Sequence, residues 1–150
     1  MTTLEPVSIV VDGNTRETAT AIESLARLFS STITRAGDEE RVKMHMLAAV
    51  TTNFPNHLYH LAADFCDAEK IDFSFFYPLI EETARQMQEN HPRLVQAGPA
   101  FRGDRQTLQT HEQLLAEYPQ LQTLYKVLSD SISQSFAVKA SDPPLNDLPT

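Results

Sequence analysis

From Asp38 to about Phe136 the apolar residues recur at intervals of three and four, a period that admits little except helices burying one face each. Asp38 is placed to cap the first, with Glu39 and Glu40 in a first turn where the helix dipole favours acids. At ~100° per residue Leu47, Val50, Phe54, Leu58, Leu61 and Phe65 share a stripe that reads as core. His45, Asn53, Asn56, His60 and Asp64 fall opposite. The next pattern points Phe73, Phe76, Ile80, Ala84 and Met87 inward and leaves Glu81, Glu82, Arg85, Gln88 and Glu89 wet. It stops near His91-Pro92, because the residue before a proline resists helical geometry. After the glycine and proline loop QAGPAFRGD, Asp104 can cap a helix carrying Leu108, His111, Leu114 and Leu115. A last helix is expected from about Gln120 to Phe136, with Leu121, Leu124, Leu128 and Ile132 inward.

The first 37 residues differ from the rest. VSIVV, residues 7 to 11, is a β-branched run between Pro6 and Asp12-Gly13-Asn14, the composition of a short strand ending in a turn. Ala19, Ile22, Leu25, Ala26 and Phe29 then recur at helical spacing from Thr15, and STITRAG returns as a second short strand. Strand, helix, strand is one crossover unit of a parallel sheet, and two short strands leave their edges unsatisfied. The piece therefore reads as part of something larger. The expected organisation is residues 1–37 as this unit, 38–138 as a helical domain, and 139–150 as a disordered tail, since SDPPLNDLPT has no period and three prolines.

Charge and cysteine content narrow the functional classes. A net charge of -8, with 12 Lys and Arg scattered through the chain, disfavours nucleic acid, which selects a basic stripe. No apolar run approaches the ~20 residues of a bilayer span, so no membrane partner is expected. Cys66 is the single cysteine, so an internal disulfide or a cysteine metal cluster cannot form. MTTLEPVSIVVDG lacks a basic start before a long apolar core and does not read as a signal peptide; the expected location is cytoplasmic.

Within the helical region AVTTNFPNHLYHLAADFC carries both a proline and a polar band. Read as helix interior, Pro55 removes a donor from the Thr51 carbonyl at ~3 kcal/mol or more, so a kink is expected. Asn53, Asn56 and His57 lie within a turn of it and offer amide and imidazole groups to a polar ligand; ordinary surface polarity explains the same residues as well. Arg102 could clamp a carboxylate or phosphate beside Gly103, or simply pair with an acid while Asp104 caps. The Arg102-Gly103-Asp104 tripeptide matches an adhesion motif by chance. No HExxH or similar helix-facing pair supports a metal, and Cys66 reads as partly buried rather than as an activated nucleophile. With only Gly13, Gly37, Gly98 and Gly103 available, neither GxGxxG nor GxxxxGK[ST] can be built.

MHMLAAVTTNFPNHLYHLA, PLIEETARQ and QAGPAFRGDRQTLQTH, taken in order, resemble the C-terminal domain of a family of NAD(P)-dependent oxidoreductases whose N-terminal half is a Rossmann domain. The resemblance runs from about Pro6 to Leu128. It implies a mainly α fold, a helical bundle similar to the C-terminal domain of 6-phosphogluconate dehydrogenase and more distantly to that of pyrroline-5-carboxylate reductase. It also implies a homodimer and a small-molecule substrate lying between the Rossmann and helical domains. Asn53, Asn56 and His57, Glu82 and Thr83 of PLIEET, and Gly98, Pro99, Arg102, Gly103 and Asp104 match its motif positions. The glycine-rich Rossmann half is the departure: the chain looks like a fragment whose first unit is the last of that domain.

The expected function is thus the dimerisation and substrate-side domain of an NAD(P)-dependent oxidoreductase, inactive in hydride transfer alone and binding no cofactor itself. Asn53 and Asn56 would orient substrate, with Glu82, Thr83, Arg102 and Asp104 as further contacts. His57 would be the catalytic proton-transfer group, since an imidazole ordinarily titrates near pH ~6.5. Small Ala48, Ala49, Ala62 and Ala63 flank the polar band and suit close helix packing in a two-fold dimer. The alternative is a free-standing helical interaction module without catalytic activity.

Overall fold

A computed structural model describes residues 7–137; the expectations for the first six residues and for the 139–150 tail lie outside them. The fold is mainly helical. In order it runs β1 (Ile9–Val11), α1 (Arg16–Ala26), β2 (Ile33–Arg35), α2 (Asp38–Ala48), a π turn (Ala49–Asn53), α3 (Phe54–Glu69), a 3-10 turn (Phe73–Phe76), α4 (Tyr77–Glu89), a second 3-10 turn (Pro92–Leu94), α5 (Pro99–Arg102), α6 (Arg105–Leu114) and α7 (Pro119–Phe136). The chain divides into two compact units, Met1–His57 and Leu58–Thr150, with α3 crossing the division.

In the first unit β1 and β2 pair in parallel, Ile9 opposite Ile33 and Val11 opposite Arg35. Polar ties fix the crossover helix to the strands. The buried Ser30 hydroxyl donates to the Val7 carbonyl and accepts the Thr32 N–H at 3.0 Å. Arg35 in β2 donates through Nε to Glu23 of α1 at 2.6 Å, and Arg27 shares that carboxylate, so the two guanidinium groups hold Glu23 below the usual carboxylate range. Small residues, Ala19, Ala26 and Ala36, are buried with Val11, but Ile22, Leu25 and Phe29, of the same helical spacing as Ala19 and Ala26, are exposed. Phe29 lies past the end of α1. The physical reason is arithmetic: a two-stranded sheet and one crossover helix supply too little surface to cover every apolar face.

Gly37, not Asp38, takes the N-cap position of α2, and Glu40 accepts its N–H at 3.2 Å. Asp38 sits one residue inside and pairs with Arg41. The expected stripe also divides. Leu47, Val50 and Phe54 are exposed, whereas Leu61 is buried and Leu58 and Phe65 are half-buried. A π turn spends about one extra residue, which rotates the downstream helix by roughly 100° relative to an uninterrupted one, so one continuous stripe cannot persist.

In the second unit α3 ends where Lys70 adopts a left-handed φ of 59°, with the Ile71 N–H returning to the Cys66 carbonyl at 2.8 Å. Tyr118 packs edge-on against Phe65 at 4.8 Å and donates to Glu69 at 2.6 Å. The expected helix over residues 73–87 is a 3-10 turn followed by α4, with Pro78 in the first turn of α4, where its missing N–H costs nothing. Ala84 and Met87 are exposed rather than inward, and so are Leu114 and Leu128; Leu114 borders an open apolar cleft. Cys66 is buried more deeply than its sequence context suggests, at 4% exposure.

Candidate functional site

The polar band sits on the π turn. The Phe54 N–H reaches back five residues to the Ala49 carbonyl, and α3 restarts at Phe54. Pro55 lies, as the sequence suggests, inside a run of helical backbone that continues from α2 through the π turn into α3, and the widened turn just before it accommodates the missing donor. The Thr51 hydroxyl donates to the Leu47 carbonyl at 2.8 Å and the Thr52 hydroxyl to the Ala48 carbonyl at 2.6 Å, steadying the widened turn. Thr52 also approaches the Asn53 side-chain oxygen at 3.2 Å. Asn53 closes the π turn, and Asn56 and His57 lie within one turn of it on α3, all three exposed. The local sequence thus builds a polar platform on a backbone irregularity of the kind that accompanies functional sites.

The other sequence-chosen residues belong to the second unit and divide among separate tasks. Glu82 binds the Arg85 guanidinium at 2.7 and 2.8 Å and Gln86 at 2.9 Å, bonds that hold its carboxyl below the usual range. Thr83 donates to the Leu79 carbonyl at 2.8 Å and stands on the wall of an apolar hollow. Asp104 caps α6, accepting the Thr107 hydroxyl at 2.7 Å and its N–H at 3.1 Å, and those bonds lower its carboxyl from the ordinary value, with the charge of Arg102 adding to them. The stretch Pro99–Arg102 is a helical turn rather than open loop, entered at Gly98 (φ 108°) and left at Gly103 (φ 68°), backbone angles that favour glycine. Arg102 and Arg105 border a separate hollow of about 530 Å³ with Asp130 and Phe136.

A constellation not singled out as a site in the sequence lies in the second unit. His111 of α6 and Tyr125 of α7 meet at 2.8 Å, Nδ1 to hydroxyl, beside the apolar hollow, an open cleft of about 670 Å³. Burial pushes the Tyr125 phenol above its ordinary value, opposed in part by a hydrogen bond with Ser129. Only the helical position of His111 is legible in the sequence; its partner stands 14 residues on in another helix. Among the described residues no group of three or more His, Cys, Asp or Glu side chains is placed to hold a metal ion, and no helix is long and apolar enough to cross a membrane.

The β1–α1 turn is where a dinucleotide's pyrophosphate would rest in a strand–helix unit. Here it closes on itself. The Gly13 N–H binds Asp12 Oδ1 at 2.8 Å, Thr15 Oγ1 takes the Thr18 N–H at 3.1 Å, and the backbone of Ala19 lies directly against Gly13. With one glycine and its donors engaged, the turn does not fit a dinucleotide.

The family model for the domain of unknown function DUF2520 matches residues 7–132. The chain belongs to the DUF2520 family. Among solved structures it is similar to "putative NADP oxidoreductase BF3122 from Bacteroides fragilis", with 35% identity and a TM-score of 0.81 over 85% of this chain and 49% of that one. It is also similar to protein TM1727 from Thermotoga maritima, with 17% identity and a TM-score of 0.67 over 81% of this chain and 50% of that one, a likeness of fold alone. This DUF2520 chain spans about half the length of the solved structures it matches. No curated protein matches it.

Proposed function

We propose that the chain is the helical, substrate-side domain of a cytoplasmic NADP-dependent oxidoreductase. The observation that carries this reading is the 35% identity to the Bacteroides fragilis protein across 85% of the chain. In this reading a separate Rossmann portion of the same polypeptide holds the nicotinamide cofactor, which the closed β1–α1 turn supports, and no step of hydride transfer is assigned to these residues. The chain's own contribution is to bind and orient a small polar substrate. Asn53 and Asn56 present amide donors and acceptors beside the π turn, and His57 moves a proton to or from substrate. Arg102 offers a guanidinium for an anionic group, while Glu82, Thr83 and Asp104, held by bonds within their own helices, support those helices more than they reach outward. A two-fold homodimer through the small residues Ala48, Ala49, Ala62 and Ala63 completes the reading.

The test is NADPH-dependent turnover of candidate carbonyl substrates by the protein carrying both portions, with and without His57→Ala. Loss of general acid–base help lowers turnover by about 10²-fold or more. Unchanged turnover in that variant removes the role of His57, and NADPH-dependent turnover by the 150-residue chain alone overturns the division of labour.

A further inference from the structure

We propose that Arg102 and Arg105 together bind the carboxylate of a singly charged organic acid, whose apolar body rests in the hollow they border in the Leu58–Thr150 unit. The inference deepens the substrate-side reading and rests on it for calling that acid a substrate.

The turn between α5 and α6 brings the two guanidinium groups to one hollow. Arg102 ends α5, Gly103 takes a left-handed φ of 68°, Asp104 caps α6 and Arg105 opens it. Three ties hold that turn. Ser133 of α7 donates to the Ala100 carbonyl at 3.1 Å, Phe101 packs edge-on against Phe136 with ring centres 5.1 Å apart, and Asp104 accepts the Thr107 N–H and hydroxyl. The long arginine side chains therefore stand on fixed backbone, which lowers the cost of ordering them around a ligand. At about 530 Å³ the hollow falls within the roughly 300–1,000 Å³ of ligand sites.

Charge selects the ligand. Arg27, Arg35, Arg41 and Arg85 each meet a carboxylate of their own chain. Among the described residues no ion pair engages Arg102 or Arg105, although the chain carries 20 Asp and Glu against 12 Lys and Arg. Asp104 feels the charge of Arg102 but is spent on capping α6. The acid is thus left to come from outside. Asp130 of α7 borders the same hollow, so two guanidinium groups and one carboxylate leave a single net positive charge. A carboxylate neutralises that charge, whereas a phosphate monoester, at roughly −2, overshoots it. Beyond the hollow Arg93 lies over the Phe136 ring at 5.0 Å and Asp104 sits at the α6 cap, one charge of each sign, so the balance stands. Guanidinium N–H groups donate to both carboxylate oxygens, and Phe101, Leu108 and Phe136 give an apolar body surface to cover.

The experiment titrates the full chain, without cofactor, with 3-phenylpropionate, 3-phenylpropanol and 3-phenylpropyl phosphate at matched ionic strength, and follows amide NMR shifts. The acid should bind about tenfold or more tightly than the alcohol, the worth of charge-assisted hydrogen bonds, and should move amides around residues 100–108 and 130–137. Arg102→Gln and Arg105→Gln, at exposed positions, should each remove most of that preference and leave alcohol binding unchanged. Asp130→Asn should improve phosphate binding about threefold or more. The proposal is overturned if acid and alcohol bind alike, if the preference survives either glutamine variant, if the phosphate outbinds the acid in the unaltered chain, or if Asp130→Asn leaves phosphate binding unchanged. A tenfold rise in acid affinity on Asp142→Asn with Asp147→Asn would assign the arginines to carboxylates of the same chain, which also overturns it. Because no cofactor is present, failure here leaves NADPH-dependent turnover untouched, and absence of that turnover leaves the acid site standing.

Discussion

The two compact units hold themselves together by different means. In Met1–His57 the buried residues are small, and order comes from backbone pairing and polar ties: Ser30 to Val7 and Thr32, and Glu23 to Arg27 and Arg35. In Leu58–Thr150 order comes from side-chain packing, through buried Leu61, Cys66 and Leu115 and the aromatic pairs Phe65–Tyr118 and Phe101–Phe136. The contrast teaches that the first unit is sensitive to backbone geometry and the second to lost volume.

The largest expected effect is in the packed unit. Leu61→Ala should destabilise by about 2–5 kcal/mol in denaturant unfolding, with amide exchange accelerated within residues 58–137. The strand–helix unit should respond instead to Gly13→Ala, whose Cβ would come within 2.6 Å of the Ala19 nitrogen and 2.9 Å of its Cα. A loss of about 1–3 kcal/mol is expected, with faster exchange confined to residues 7–57. If either substitution speeds exchange equally in both units, the contrast fails. The smallest effect tests the turn before α3. Pro55→Ala should cost about 0.4–1 kcal/mol, because the π turn already accommodates the missing donor and the proline still restricts the unfolded chain. Were the donor missing from a regular α turn that had not widened, the same change would instead stabilise by ~3 kcal/mol.

Helical period, proline and capping residues determined much of the fold, since these act over a few residues. They placed the β-branched strand, the crossover helix, the second strand, the stop before His91-Pro92 and the Asp104 cap close to where the structure has them. They also brought Asn53, Asn56 and His57 to one short stretch, because sequence neighbours within a helical turn are spatial neighbours. Tertiary structure alone decided which apolar residues are covered, since a helix face is buried only when another element arrives to cover it. Leu47, Val50 and Phe54 remain open while Leu61, on the same expected stripe, is buried. The π turn was signalled by Pro55 only as a disturbance; whether helix accommodates a missing donor by kinking or by widening depends on its surroundings. The His111–Tyr125 pair and the hollow beside it join residues from different helices, and no periodicity within one helix specifies where another will pack.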